Sequence, residues 1–281
     1  MGPQHKKKLK SVTVEAYLSA IDLKHKLMGF QNFEKSNQII KLLLKGSENL
    51  EIYSSKQKTN RNVMTLPLLK ILGHEIANKN WSSFEKQLIW TVSCLPFFGS
   101  FRIGELLCNN DKCYDPFSSL VWGNINVTKD SIIFHIQSPK SKNKNGDFVD
   151  IFGFKGHNCC PQKSFLKYQA MCKEKKNNIK SSPVFKHENG VILTKQQFNK
   201  TIQELMTTHM AKLDIKVTGH SFRAGIPSVL AKYPEIVTNS HIMGWGRWDS
   251  GAFLKYTRLK SDQKRKIFEK IVSVLNVEIN K

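Results

Sequence analysis

The hydrophobic pattern of the N-terminal segment predicts two helices. After Ser11, apolar residues recur at i, i+4 and i+7, the spacing of one helix face, and Gly29 marks the expected end. A second apolar run follows Ser36, and Gly46 predicts its stop. Residues 47–63 are polar and basic, which is typical of a linker between domains.

This linker divides the chain into a small helical domain with its linker, residues 1–62, and a larger domain, residues 63–281. The larger domain begins with two helix signals. Thr65 can cap a helix that has a proline in its first turn. Ser82 has a glutamate three residues later, which is the capping-box spacing, ahead of a long apolar run.

The middle of the chain changes to a β pattern. Residues 120–122, 131–137 and 147–152 are short β-prone runs, and the last two are joined by a basic segment that ends in Asn-Gly, a strong hairpin signal. Helical patterns then resume at about 161–174, 195–210, 220–232, 235–243 and 261–275. The sum predicts a mainly α protein with a small antiparallel β-sheet, an α+β class.

Composition adds a strong positive charge to this picture. Hydrophobic residues make up 40% of the 281, enough for a folded core, and Lys plus Arg outnumber Asp plus Glu by 44 to 22, a net charge of +22. Residues 1–62 hold twelve Lys or Arg against five Asp or Glu, so both predicted domains are basic. Such a charge favours a polyanionic partner, either nucleic acid or an anionic membrane surface.

The sequence predicts no membrane insertion or secretion. No apolar stretch reaches the roughly 18 residues that a membrane helix needs. The longest, residues 88–98, contains a proline and is expected to be a buried helix. The N-terminal residues lack an apolar signal region, so we expect an intracellular protein.

The cysteines are expected to be reduced thiols rather than disulfides. Cys108 and Cys113, together with His157, Cys159 and Cys160, could supply zinc ligands if their loops converge. Their spacing matches no tight zinc pattern, so we expect no metal and interpret them as buried free thiols.

Two arginines have the chemistry to hold a phosphate. Arg102 lies where a helix is expected to begin after Gly99, and Arg223 lies in the first turn of a helix opened by Gly219. His220, three residues before Arg223, shares its helix face. A guanidinium is planar, permanently charged and bidentate toward phosphate oxygens. Taken alone, a His-x-x-Arg pair is common by chance and is more often an ion-pairing arginine and a satisfied histidine than a functional pair.

Tyr256 and Trp248 add a nucleophile and a hydrogen-bond donor. A phenol, with a pKa near 10, becomes nucleophilic when nearby cations stabilise its anion. The indole N–H of Trp248 could bond a phosphate oxygen and its ring could buttress the nucleophile. Either residue alone would be interpreted as a core aromatic.

Three lysines lie in the predicted hairpin turn: Lys140, Lys142 and Lys144. An ammonium group can protonate a departing oxygen. A basic turn can also be simply a solvated loop.

In this order, the motifs resemble the tyrosine recombinases, especially the branch carried by eukaryotic mobile elements such as Cryptons and DIRS-like retroelements. The resemblance covers about residues 11 to 270. It is carried by Phe97 to Leu107, Leu120 to Trp122, Pro139 to Lys142, Gly219 to Gly225 and Gly246 to Tyr256.

The resemblance implies a role for each matched residue. Arg102 and Arg223 match the two arginines that clamp the phosphate, and His220 matches the histidine of the His-x-x-Arg box. Tyr256 matches the nucleophile. Trp248 occupies a position that many relatives fill with histidine and some with tryptophan.

The remaining matches concern proton transfer and support. Lys142 best matches the hairpin lysine that acts as general acid, with Lys140 as the fallback and Lys144 as a further DNA contact. Glu105 matches an acidic residue that supports the first arginine without touching the substrate. No cofactor is implied.

The resemblance also assigns the domains. Residues 1–62 are expected to be a DNA-binding domain of the core-binding type, although shorter than many, and residues 63–281 the catalytic domain. The helix at 261–275 either packs on its own domain or docks into a neighbouring copy.

The implied function is site-specific DNA recombination or integration through a 3′-phosphotyrosine intermediate, as a homotetramer on double-stranded DNA. We expect a nuclear location for a eukaryotic mobile element and a cytoplasmic or nucleoid location otherwise. Two alternatives remain at this point: a type IB topoisomerase-like enzyme that relaxes DNA, and a domesticated protein that binds DNA without cleaving it.

The charge generates a first prediction. Because neutralising phosphates releases counterions, we expect affinity for duplex DNA to fall about a thousandfold or more between low and moderate salt. Fluorescence anisotropy of a labelled duplex at stepped KCl concentrations measures this slope. An affinity that does not change with salt would contradict phosphate-dominated binding.

Overall fold

A computed structural model describes residues 9–30, 38–54, 63–112, 114–115, 117–137, 146–154, 156–175, 179–230, 237–247 and 265–273. The chain divides into two compact units, residues 1–60 and 61–281.

In the first unit, helix α1 (Ser11–Leu27) contacts helix α2 (Gln38–Ser54). Both helices were predicted, but two details were wrong. Ser11 is the first helical residue rather than the cap. Gly46 does not end α2, which continues through 47–54, part of the predicted linker. A mid-helix glycine costs only about 1 kcal/mol, and continued helix formation on both sides outweighs it.

The second unit contains nine α-helices, one 3₁₀ turn and three strands within its described residues. The helices are α3 (Leu66–Ala77), α4 (Ser83–Gly99), α5 (Ile103–Leu106), α6 (Pro161–Glu174), α7 (Lys195–Leu213), α8 (Gly219–Arg223), α9 (Gly225–Leu230), α10 (Asn239–Gly246) and α11 (265–273). The strands are β1 (Ile125–Val127), β2 (Ser131–Ile136) and β3 (Asp147–Phe152).

Helix caps follow the predicted signals. The Thr65 hydroxyl accepts a hydrogen bond from the backbone amide of Leu68, in the first turn of α3, at 3.4 Å. The same turn contains a proline, as predicted. Ser82 caps α4 through the amide of Glu85. The Glu85 carboxylate does not reach back to the cap, because it binds His187 and the amide of Glu188, at 2.9 and 2.8 Å. Of the predicted capping box, the Ser82 hydrogen bond forms within the helix start, whereas the Glu85 carboxylate binds residues distant in sequence.

The strands form an antiparallel sheet in the order β1-β2-β3 within the described residues. Phe134 pairs with Val149, and both are buried, so one face of the hairpin belongs to the core. Residues 120–122 do not form the predicted strand. Trp122–Asn124 is a 3₁₀ turn, closed when the Asn124 side chain accepts the amide of Val121 at 3.1 Å.

Helix α4 is the centre of the second unit. It contacts α3, α6, α8, α9 and β3, and nearly all of it is buried. Its polar interior groups are paired with α6: Gln87 and Thr91 bond Ser164 at 2.9 to 3.1 Å. Because buried hydrogen bonds fix geometry as well as energy, α4 is a rigid base for the residues that follow it.

The predicted helix at 220–232 is broken into α8 and α9. Helix α8 ends at Arg223, and α9 begins at Gly225, whose backbone lies against the ring of Phe97. A Cβ at Gly225 would collide with that ring, so the close approach of α4 requires a glycine where α9 begins.

Helix α11 packs on its own unit. Phe268 stacks on Trp245 of α10 with ring centroids 6.4 Å apart and lies 5.5 Å from Phe152 of β3. Arg265 pairs with Asp130 at 2.9 Å. Among the described residues, no helix combines the length and apolar character that a membrane crossing requires.

Two glycines test how α5 and α8 pack. A Cβ on Gly219 would collide with the Ile103 side chain, whereas a Cβ on Gly104 would meet nothing within 4 Å. We expect Gly219→Ala to lower the free energy of unfolding by about 2 kcal/mol through overpacking. The matched control Gly104→Ala leaves it unchanged or raises it by up to about 1 kcal/mol. Urea denaturation monitored by circular dichroism measures both, and equal stability of the two variants would contradict the packing.

Candidate active site

The site is built around the carboxylate of Glu105. Arg102 precedes α5 as its N-cap residue, and its amide donates to Glu105 Oε2 at 2.8 Å. The Arg102 side chain donates from Nη1 to Glu105 Oε1 at 2.9 Å. The side chain of Glu105 is buried, with 5% of it exposed, whereas 30% of the Arg102 side chain remains exposed. The short helix α5 therefore holds a buried anion directly beside a partly open cation.

Arg223 reaches the same carboxylate from α8. Its Nη1 lies 3.9 Å from Glu105 Oε2 and donates to the carbonyl of Ser100 at 3.0 Å. Its Nη2 donates to the carbonyl of Gly246. Only 3% of the side chain is exposed. Both terminal nitrogens of Arg223 are thus engaged within the protein.

Burial and like charge weaken the hold of Arg223 on its proton. Desolvation, together with the positive charges of Arg102 and Arg247, lowers the pKa of Arg223 to about 10, against the opposing effect of Glu105. The group remains protonated at neutral pH. Burial is the larger cause of this shift, and the neighbouring guanidinium groups act in the same direction.

Ser100 supplies a backbone acceptor in an unusual conformation. It ends α4 with φ 51° and ψ 35°, in the left-handed region, and is fully buried. Its carbonyl accepts from Arg223 at 3.0 Å and from Arg247 at 3.4 Å. A non-glycine residue in this region costs roughly 1 kcal/mol or more. At Ser100 this strained conformation occurs where the backbone carbonyl accepts hydrogen bonds from two guanidinium groups.

Arg247 is the site residue that the sequence analysis missed. It donates from Nη2 to Glu105 Oε2 at 2.6 Å, and its Cζ lies 5.4 Å from the centre of the Phe101 ring. Asp147 Oδ2 lies 4.0 Å from its Nη1. The available signal was the arginine inside Gly-Arg-Trp, a motif in which the sequence analysis assigned the site role to Trp248.

We refer to Arg102, Arg223 and Arg247, gathered around Glu105, as the arginine cluster. In the described part of the chain, Glu105 and Asp147 are the carboxylates paired with these guanidinium groups. The cluster therefore keeps an excess of positive charge. Burial favours raising the pKa of Glu105, but the charge of Arg247 and hydrogen bonds from Arg247 and Arg102 outweigh it, so the net pKa is lowered.

The structure places some predicted site residues and not others. His220 is exposed on α8, three positions before the buried Arg223. Trp248 and Tyr256 lie outside the described residues, as do the three hairpin lysines Lys140, Lys142 and Lys144. The two predicted clamp arginines, far apart in sequence, thus meet at one carboxylate, and the position of the phenol stays a prediction.

The cysteine and histidine residues do not form a metal centre within the described residues, where no group of three or more His, Cys, Asp or Glu side chains could hold a metal ion. Cys159 and Cys160 are buried free thiols, and burial raises the pKa of Cys159 to about 11. Cys113 lies outside the described residues.

No protein-family model and no curated protein matches the chain. Solved structures do match. One is the XerH site-specific recombinase bound to palindromic difH substrate in a post-cleavage complex, with a TM-score of 0.50 and 13% identity over 96% of this chain and 73% of that chain. The pre-cleavage XerH complex with difH has a TM-score of 0.49 and 12% identity, covering 92% and 69%. XerA recombinase has a TM-score of 0.44 and 15% identity, covering 94% and 85%.

The first of these likenesses defines the fold. A mainly helical chain with a small antiparallel sheet, as described here, matches the tyrosine-recombinase catalytic domain. The predicted fold class is therefore confirmed. The mobile-element branch suggested by the Gly-Arg-Trp motif stays a prediction.

The Glu105 carboxylate gives a prediction with a defined pH dependence. We expect Glu105→Gln to lower the free energy of unfolding by about 3 kcal/mol at neutral pH, because it leaves buried guanidinium groups uncompensated. Since the folded pKa of Glu105 lies below its ordinary 4.5, the wild-type advantage is present above about pH 4.5 and is lost as the pH falls through the folded value.

Denaturant titrations at neutral and acidic pH measure this difference. The matched control is Glu204→Gln, since Glu204 is 64% exposed and lies 3.8 Å from Lys200. Its effect should stay within about 0.5 kcal/mol at either pH. A Glu105→Gln deficit that persists unchanged in acid would show that the carboxylate charge is not what stabilises the cluster.

Proposed function

We propose that the protein is a site-specific DNA recombinase or integrase that cleaves and rejoins DNA through a 3′-phosphotyrosine. The observation that carries the proposal is the arginine cluster. Two arginines that the sequence assigned to one phosphate lie at one carboxylate, in a chain with the recombinase fold and a net charge of +22.

The cluster suits the charge that develops during phosphoryl transfer. The pentacoordinate phosphorus carries extra negative charge on its non-bridging oxygens, which pre-oriented cations stabilise without reorganisation. Arg102 is the open member, with 30% of its side chain exposed, and a phosphate would meet it first. Arg223, with 3% of its side chain exposed, would contribute mainly through its charge unless its hydrogen bonds to the carbonyls of Ser100 and Gly246 break.

We assign the bond changes as follows. The Tyr256 oxygen attacks phosphorus, the bond to the 5′ oxygen breaks, and the 3′ end remains attached to the enzyme. Lys142, with Lys140 as the fallback, gives a proton to the departing 5′ oxygen, and His220 accepts the proton of the phenol. Attack by a new 5′ hydroxyl on the phosphotyrosine reverses these steps and rejoins the strand, so the stored bond replaces ATP.

The remaining assignments are part of the same proposal. Residues 1–62 would grip the duplex as a core-binding-like domain, with phosphate contacts fixing position and base contacts fixing the site. Strand exchange between two duplexes needs four active sites, so the working form would be a tetramer on double-stranded DNA. The location would be the nucleus for a eukaryotic mobile element and the cytoplasm or nucleoid otherwise.

The nucleophile is tested on a nicked suicide duplex taken from DNA that flanks the coding element. We expect wild-type protein to give a covalent protein–DNA adduct on a denaturing gel, and Tyr256→Phe to give none. The matched control Tyr114→Phe changes a tyrosine of the second unit whose hydroxyl donates to the carbonyl of Ser181 at 3.0 Å, and it should form adduct at the wild-type rate. Running the reaction in EDTA should leave the yield unchanged.

Other outcomes separate the alternatives. An adduct that survives in Tyr256→Phe identifies a different nucleophile. DNA binding without any adduct favours a protein that binds only. Relaxation of supercoiled plasmid by a monomer, without strand exchange between duplexes, favours a topoisomerase.

A further inference from the structure

The backbone of Arg247 is unusual for the residue it carries. Arg247 follows the last residue of α10 with φ 50° and ψ 48°, in the left-handed region. Helix ends in this conformation favour glycine or asparagine, and other L residues pay about 1–2 kcal/mol. An arginine held there points to a use for its side chain.

The guanidinium of Arg247 has donors to spare. Its Nη2 is committed to Glu105 at 2.6 Å. Its Nε and Nη1 are buried and have no hydrogen-bond partner among the described residues. Asp147 Oδ2, 4.0 Å from Nη1, is beyond hydrogen-bond distance. Buried cationic donors without an acceptor are costly, so the geometry suits an acceptor that arrives from outside.

The neighbouring groups favour a negative charge in that acceptor. Arg102 and Arg223 share Glu105 with Arg247, and the carboxylates paired with this cluster among the described residues are Glu105 and Asp147. Burial first, and then the positive charges of Arg102 and Arg247, lower the pKa of Arg223. A bound phosphate oxyanion would relieve the repulsion and satisfy the open donors together.

Arg223 and Arg247 also differ in how many hydrogen-bond donors remain without a partner. The terminal nitrogens of Arg223 already bond the carbonyls of Ser100 and Gly246. Arg247 is more exposed, at 13% against 3%, and uses one terminal nitrogen for Glu105. Of these two residues, Arg247 is therefore the one with hydrogen bonds left to give.

We propose that Arg247 directly binds a non-bridging oxygen of the scissile phosphate and forms the working clamp with Arg102. This role deepens the proposed recombinase function and rests on it for the identity of the phosphate. The anion-binding part of the proposal stands on the cluster geometry alone. The competing explanation is that Arg247 only ties α10 to Glu105.

Inorganic phosphate is the probe that tests the proposal without DNA. The full chain is titrated with phosphate at constant ionic strength, with chloride as the balancing salt, and the rise in Tm gives an apparent affinity. We expect Arg247→Met to weaken phosphate binding about tenfold, the size of a lost charge-assisted bond. Arg102→Met should weaken it similarly.

Two further variants complete the design. Arg265→Met is the matched control. Arg265 lies on α11 and pairs with Asp130 at 2.9 Å, so its loss should leave the phosphate response like that of wild type. Arg247→Lys keeps the charge without the planar fork and should bind phosphate more weakly than wild type. If Arg247→Met fails to fold by circular dichroism, Arg247→Lys carries the comparison.

Each outcome decides the proposal. Wild-type affinity in Arg247→Met or in Arg247→Lys would show that Arg247 is only a structural tie. A wild-type protein whose Tm responds to phosphate no more than to chloride would overturn the anion site itself.

Failure of the proposed function is separately visible. The phosphate titration requires no cleavage, so it is measured independently of adduct formation. A phosphate response that depends on Arg247, in a protein that never forms a DNA adduct, would reject the recombinase and keep the anion site.

Discussion

The buried carboxylate of Glu105 is the interaction on which the candidate site depends. It accepts from the backbone and side chain of Arg102 and from Arg247, and it lies 3.9 Å from Arg223. A buried ion is stable only when its charge is paired and its lone pairs are bonded. Since the arginines come from segments far apart in sequence, this one group fixes α5, α8 and the end of α10 relative to each other.

Helix α4 makes that arrangement rigid. Its buried polar side chains are paired with α6 through Ser164, and its last residue passes directly into Ser100, whose carbonyl binds Arg223 and Arg247. Sites supported by packed helices hold their geometry more tightly than sites on loops. The left-handed turn at Ser100 is thus part of the support for the site rather than an isolated strain.

The exposure of the arginines divides their roles. Arg102 is open at 30%, Arg247 is intermediate at 13%, and Arg223 is almost closed at 3%. In the proposed function, a phosphate would first meet the exposed donors of Arg102, with the buried charge of Arg223 behind them. Such an arrangement combines direct binding with charge that needs no reorganisation, which is what stabilises an oxyanion in a transition state.

The sequence by itself determined the features that depend on neighbouring residues. The caps at Thr65 and Ser82, the β2–β3 pairing and most helices follow from local hydrogen bonding and apolar spacing. It also singled out Arg102 and Arg223, because their motifs are local. Only the tertiary structure decided the break before Gly225, the contact with Phe97 that leaves no room for a Cβ there, and the participation of Arg247. These depend on contacts between segments far apart in the chain, and such contacts leave no periodic pattern in the residues themselves.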